Sequence, residues 1–109
     1  QKSIANGIDI IRIFDCMNDL RNLQTAVSAA NKEKGHAQVA LSYTLGDAYT
    51  LDYWTTMAKR IEEMGADSIC IKDMAGASAA KSPPIHDLFV YITIFFLHRM
   101  FFLNLLTDA

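Results

Sequence analysis

Cysteine is scarce in this chain: Cys16 and Cys70 are the two, with neither CxxC spacing nor the density of a disulfide framework. That excludes a stapled secreted scaffold and suits a reduced, cytoplasmic compartment. Histidine is nearly as rare, and His36, His86 and His98 form no HxH, HxxxH or HExxH pair to hold a metal. The five glycines make no phosphate-cradling loop. Neither sign of charge dominates, since 10 Lys and Arg face 12 Asp and Glu for a net charge of -2. Nothing electrostatic therefore draws the chain to nucleic acid or an anionic membrane. No basic-then-apolar leader opens the chain, and the first residue is Gln1, which reads as a start lying further upstream. Length is short too: 109 residues fall far below the roughly 250 of a full (β/α)₈ barrel.

What is present is a regular alternation. The β-branched run over 8–14 follows Asn6-Gly7 and stops at Asp15, which predicts a strand. Asp19 is placed to cap a helix whose Leu20, Leu23, Ala26, Val27 and Ala30 recur at helical spacing and which ends in Lys32, Lys34 and Gly35. A second strand is expected over 36–44. Thr50 then predicts the N-cap of a helix over 51–64, with Leu51, Trp54, Met57, Ala58, Ile61 and Met64 in one stripe and Gly65 as its stop. A short third strand over 68–71 follows. Strand, helix, strand, helix, strand, at about 30 residues per unit, is the pattern of a parallel sheet built from βα units.

In such architectures reactive groups gather at the C-terminal ends of the strands. That rule selects Asp15 and Asn18, Tyr43 and Thr44, and Lys72 and Asp73. Lys72 is the most unusual, because an amine flush with a buried strand must be desolvated unless something compensates. A desolvated amine is nucleophilic toward carbonyls or carbon dioxide; the bland alternative is an ion pair with Asp73 or Asp15. Asp15 is a candidate substrate, base or metal residue against a turn or N-cap role. Tyr43 and Thr44 are weaker substrate-binding candidates against ordinary strand-end residues. Trp54, Met57 and Met64 read as core.

The runs Asn6-Gly7-Ile8-Asp9-Ile10-Ile11-Arg12-Ile13-Phe14-Asp15 and Gly65-Ala66-Asp67-Ser68-Ile69-Cys70-Ile71-Lys72-Asp73-Met74-Ala75-Gly76, with Asn18-Asp19 and Arg21-Asn22-Leu23 between, closely resemble the carboxyltransferase domain of oxaloacetate decarboxylase alpha chains. The transcarboxylase subunit and pyruvate carboxylase are more distantly similar. The resemblance spans about residues 1–76 and implies a fragment of a TIM barrel holding about three βα units. It further implies that Lys72 is the catalytic position, carboxylated to a carbamate that ligates a divalent metal (Zn, Mn or Co). Carboxyl would then pass between oxaloacetate or pyruvate and biotin on a carrier domain. The family's other ligands, an aspartate on the first barrel strand and a His-x-His pair on the strand after the lysine, have no counterpart in this chain. The resemblance therefore implies an inactive fragment that holds neither metal nor biotin by itself. Schiff-base aldolases are a more remote lysine-bearing comparison.

From Gly76 onward the pattern breaks. Ala77-Ser78-Ala79-Ala80-Lys81-Ser82-Pro83-Pro84 is small and weakly patterned, and 88–106 is apolar and rich in Phe. Residues 77–109 read as an atypical apolar helical tail, the product of a frameshift or a mis-called gene model. As a membrane anchor the tail is poor, since His98, Arg99 and Asn104 interrupt it and a spanning helix needs about 20 predominantly apolar residues. The alternative reading is a non-catalytic protein whose apolar tail engages a membrane or a partner. A barrel fragment with an open sheet edge is expected to self-associate or aggregate.

Overall fold

The computed structural model describes residues 1–73 and 105–107. A short helix α1 (Lys2–Ala5) precedes strand β1 (Ile10–Phe14), a 3₁₀ turn over Leu20–Asn22 and helix α2 (Gln24–Lys32). Strand β2 (His36–Ser42), helix α3 (Leu51–Glu63) and strand β3 (Ser68–Asp73) follow. The three strands are parallel neighbours, with Ile13 beside Val39 and Val39 beside Ile69. This is a mixed α/β unit with a parallel sheet, consistent with a fragment of a TIM barrel.

The two faces of the sheet differ as the period-2 alternation requires. Ile13, Val39, Leu41, Tyr43, Ile69 and Ile71 pack with Leu23 and Val27 of the first helical unit and Trp54, Met57, Ala58 and Ile61 of α3 in one apolar core. Val27, Val39, Ile61 and Ile71 are wholly buried, each contributing about 1.5–3 kcal/mol by leaving water. The opposite face is the more polar one. There the Arg12 Nε donates to Gln38 Oε1 at 2.7 Å, Gln38 Nε2 donates to Ser68 Oγ at 3.2 Å, and His36 Nε2 lies 2.7 Å from the same hydroxyl.

The N-terminal end of the sheet is tied down. The Asp67 N–H donates to the Ala37 carbonyl at 2.8 Å while Ala37 N–H donates to Asp67 Oδ2 at 2.9 Å, and His36 N–H donates to the Asp9 carbonyl at 2.9 Å. Ile4 of α1 closes over Gly35, where a Cβ would stand 2.5 Å from its Cδ1.

Several boundaries differ from the pattern's forecast. Asp19 caps the 3₁₀ turn, accepting from Arg21 N–H, and α2 starts only at Gln24. The left-handed residue ending α2 is Lys34, with φ 60°, rather than Gly35. The Gly35 N–H still reaches the Ala30 carbonyl at 3.0 Å, which closes the turn in the Schellman manner. The end of α3 matches expectation: Gly65, with φ 96°, donates to the Glu62 carbonyl at 2.9 Å. β2 ends at Ser42, so Tyr43 and Thr44 lie beyond it, whereas β3 runs through Lys72 and Asp73 instead of stopping at Ile71. The added pairing explains this, since Lys72 sits beside Ser42 on one side and Leu106 on the other. Leu106 belongs to a fourth parallel strand, β4 (Leu105–Thr107), on the outer edge of β3. Residues 105–107 of the forecast helical tail are therefore strand, because the open edge of β3 offers them backbone partners. Residues 74–104 and 108–109, and with them the rest of the tail, lie outside the described residues. Among those described, no helix is long and apolar enough to cross a membrane.

Candidate functional site

At the C-terminal ends of the strands the structure holds a cleft of about 520 Å³, lined by Phe14, Cys16, Met17, Asn18, Ser42, Tyr43, Thr44, Tyr49 and Lys72. Three segments build it: the end of β1 with the loop after it, the end of β2 with the start of the loop to α3, and β3. Of the residues selected from the sequence, Lys72, Tyr43, Thr44 and Asn18 come together here. Asp15 does not line the cleft.

Lys72 projects onto the polar face of the sheet and is half-buried. Its Nζ stands 3.6 Å from the centroid of the Phe14 ring, two strands away. Neighbouring strands are about 4.8 Å apart, so the lysine stem has to cross β2. The intervening residues, Ala40 and Ser42, are small enough to let it pass. A cation over an aromatic face is worth about 0.5–1 kcal/mol where water reaches it. The amine thus meets a ring face where an ion pair was the bland expectation, and consecutive strand residues point to opposite faces, which sets Asp73 on the other side of the sheet. Asp73 is buried there.

Asp15 acts as a turn organiser. Its Oδ2 accepts from the N–H groups of Met17 at 3.0 Å and Asp19 at 2.9 Å, and its Oδ1 accepts from Asn22 Nδ2 at 3.0 Å. Those donors, the Asp19 N–H first, hold its carboxyl below the usual range. Asp19 is pulled down to about 2, chiefly by the Arg21 guanidinium, whose Nη2 lies 2.6 Å from Oδ2. Both carboxylates are committed to loop structure.

Tyr43 has its ring in the core, 5.3 Å from the Trp54 ring centroid, and its N–H donates to the Lys72 carbonyl at 2.8 Å. Thr44 is half-buried at the rim. Phe14 and Tyr49 were not selected by strand-end reasoning. Phe14 reads as the last residue of a strand and Tyr49 as part of a loop, and only the fold shows that they wall the cleft. Cys70, on the same face as Lys72, has its thiol pushed up by burial, against an opposing pull from the Arg12 and Lys72 charges. It is structural packing rather than a reactive thiol.

The described residues do not by themselves fit a resident metal. No group of three or more His, Cys, Asp or Glu among them is arranged to hold one. Lys72 as a carbamate would contribute a single ligand.

A second hollow, of about 290 Å³ between Leu20, Arg21, Gln24, Arg60, Glu63 and Met64, lies on the helix side. It contains none of the strand-end residues.

No family model matches the chain. A pyruvate carboxylase subunit of Methanocaldococcus jannaschii is 53% identical over 75 residues, which are 69% of this chain and 13% of that protein. The carboxyl transferase domain of Rhizobium etli pyruvate carboxylase superposes with a TM-score of 0.75 at 32% identity, over 94% of this chain and 18% of that one. The structure of that domain with pyruvate and biocytin gives 0.68 at 34% identity, over 80% and 16%. The chain therefore spans less than a fifth of the proteins it matches. Its homologues include pyruvate carboxylase subunits B, the methylmalonyl-CoA carboxyltransferase 5S subunit and the 2-oxoglutarate carboxylase large subunit, and its structural neighbours include carboxyl transferase domains of pyruvate carboxylase.

Proposed function

We propose that the chain is a fragment of a biotin-dependent carboxyltransferase, in which the strand-end cleft is part of the site that passes a carboxyl group between a keto acid and carrier-bound biotin. The direction favoured by the sequence resemblance is decarboxylation of oxaloacetate to pyruvate. The observation that carries the reading is the meeting of Lys72 with Tyr43 and Thr44 in one cleft at the C-terminal ends of β1, β2 and β3. The structural neighbour with pyruvate and biocytin supports the choice of ligands.

Lys72 is the functional group of the cleft. In its neutral form the amine adds to carbon dioxide, forming an N–C bond and releasing a proton, which leaves an anionic oxygen donor at the strand end. Thr44 lends a hydroxyl at the rim, and the buried Tyr43 ring holds the wall to which the ligand docks. The sequence also selects Asp15 as a substrate residue; its carboxylate instead shapes the loop beside the ligand. One ligand oxygen from Lys72 does not complete a metal shell, so the fragment alone turns nothing over.

A graft tests this. Residues 1–73 are substituted for the matched segment of the Methanocaldococcus jannaschii protein, and biotin-dependent exchange of labelled pyruvate into oxaloacetate is followed. The graft is expected to exchange, its Lys72→Ala variant to fall to background, and the isolated chain to give none. A folded graft without exchange, or exchange by the isolated chain, would overturn the proposal.

A further inference from the structure

The ladder between β1 and β2 stops at Phe14 and Ala40. Extended by two residues, it would set Cys16 against Ser42. The chain turns away at Asp15 instead. Because the Tyr43 N–H donates toward β3, to the Lys72 carbonyl, the N–H and C=O of Ser42 face the side that β1 has left. Asn18 meets both. Its Nδ2 donates to the Ser42 carbonyl at 2.9 Å and its Oδ1 accepts from the Ser42 N–H at 2.8 Å.

A carboxamide carries the same donor and acceptor as a peptide group, so this side chain stands in for the missing ladder residue. It can fold back because Asn18 adopts φ 55°, a left-handed conformation that asparagine tolerates better than most residues. The Ser42 hydroxyl adds a weaker tie to the Asp15 carbonyl at 3.3 Å. The consequence is spatial. Cys16 and Met17 are released from strand pairing to line the cleft, yet the loop stays pinned to β2 beside Ser42, the register partner of Lys72.

We propose that Asn18 is a positioning residue: its carboxamide ends the sheet early and fixes the loop of residues 15–19 as one wall of the ligand cleft. The loop's role in keto acid binding rests on the function proposed above, whereas its anchoring does not.

Two substitutions separate the carboxamide from the backbone. Asn18→Gly keeps the left-handed conformation and loses the amide, while Asn18→Ala loses both. In the full chain, both variants are expected to speed hydrogen exchange at the Ser42 amide by about tenfold or more, the loss of one hydrogen bond of ordinary strength. Alkylation of the exposed Cys16 is expected to speed up with it. In the graft, Asn18→Gly is expected to raise KM for the keto acid about tenfold and leave kcat within about twofold. An unchanged Ser42 amide in Asn18→Gly overturns the proposal, as does an effect confined to Asn18→Ala. A loosened Ser42 with KM unmoved overturns it as well. If the unsubstituted graft shows no exchange, the carboxyltransferase reading fails, and the Ser42 amide and the Cys16 rate in the full chain decide Asn18: both faster upholds it, either unchanged overturns it.

Discussion

Replacing Trp54 with alanine should remove a large share of the stability of this unit. Trp54 is 1% exposed and its ring lies among three tyrosines, with centroids 4.9 Å from Tyr53, 5.3 Å from Tyr43 and 5.9 Å from Tyr49. A Trp→Ala change in a core costs about 3–5 kcal/mol, and the three ring contacts, each worth roughly 0.5–1.5 kcal/mol beyond burial, place this case at the upper end. Against roughly 0.05–0.15 kcal/mol of stability per residue, or about 5–16 kcal/mol for 109 residues, a loss near 5 kcal/mol is between about a third and the whole. Trp54 is also the single tryptophan, so its fluorescence reports unfolding of the parent but not of the variant. Urea titration followed by far-ultraviolet circular dichroism serves both. The variant should lack a cooperative transition at room temperature, or show one shifted by about 4–5 kcal/mol. A loss below about 1.5 kcal/mol would refute the claim that this ring cluster is close-packed. The effect reaches the cleft, because Tyr43 and Tyr49 form part of its lining and both rest on the indole.

Gly65→Ala puts a side chain at φ 96°, where strain of roughly 1–2 kcal/mol outweighs the 0.4–1 kcal/mol or so gained by stiffening the unfolded chain; a net loss of about 1 kcal/mol in urea titration is the expected result. Thr50→Ala removes the hydroxyl that accepts from Tyr53 N–H at 3.2 Å and should cost about 1 kcal/mol, measured the same way. Acid should loosen the loop of residues 15–19: Asp15 and Asp19 are both held below their ordinary 3.8, Asp19 at about 2. Lowered native values mean that the unfolded chain takes up protons first, so their contribution is whole above about pH 4 and is lost as pH falls toward 2. In Asp19→Asn, the stability lost over that interval should be smaller than in the parent.

Much of the scaffold was legible in the sequence because each element carries its own local signal. The stripe of Trp54, Met57, Ala58 and Ile61 at helical spacing, Thr50 before it and Gly65 after it located α3 from one stretch of chain. The cleft was legible in position, since strand ends are where a parallel sheet collects loops, and Lys72, Tyr43, Thr44 and Asn18 do meet there. What escaped depends on partners distant in sequence. β3 continues through Lys72 and Asp73 because β2 and β4 flank it, and no property of those two residues announces that. The Phe14 ring over Lys72 spans two strands, and the Asn18 amide pairs with a backbone 24 residues away. Asp15 was ambiguous for the opposite reason: a carboxylate that organises a turn and one that grips a ligand have the same neighbours in sequence.

The clamps at the N-terminal end of the sheet, where Asp67 and Ala37 exchange hydrogen bonds and His36 reaches Asp9, divide the unit into a base held by backbone ties and a rim where loop side chains face the cleft. Substitutions at the rim, in Met17, Thr44 or Leu45, touch few of the contacts that keep the sheet together. Chemistry there can drift under selection while the base keeps the strands in register. A scaffold divided in this way can change what its cleft accepts by a few loop substitutions without having to refold around them.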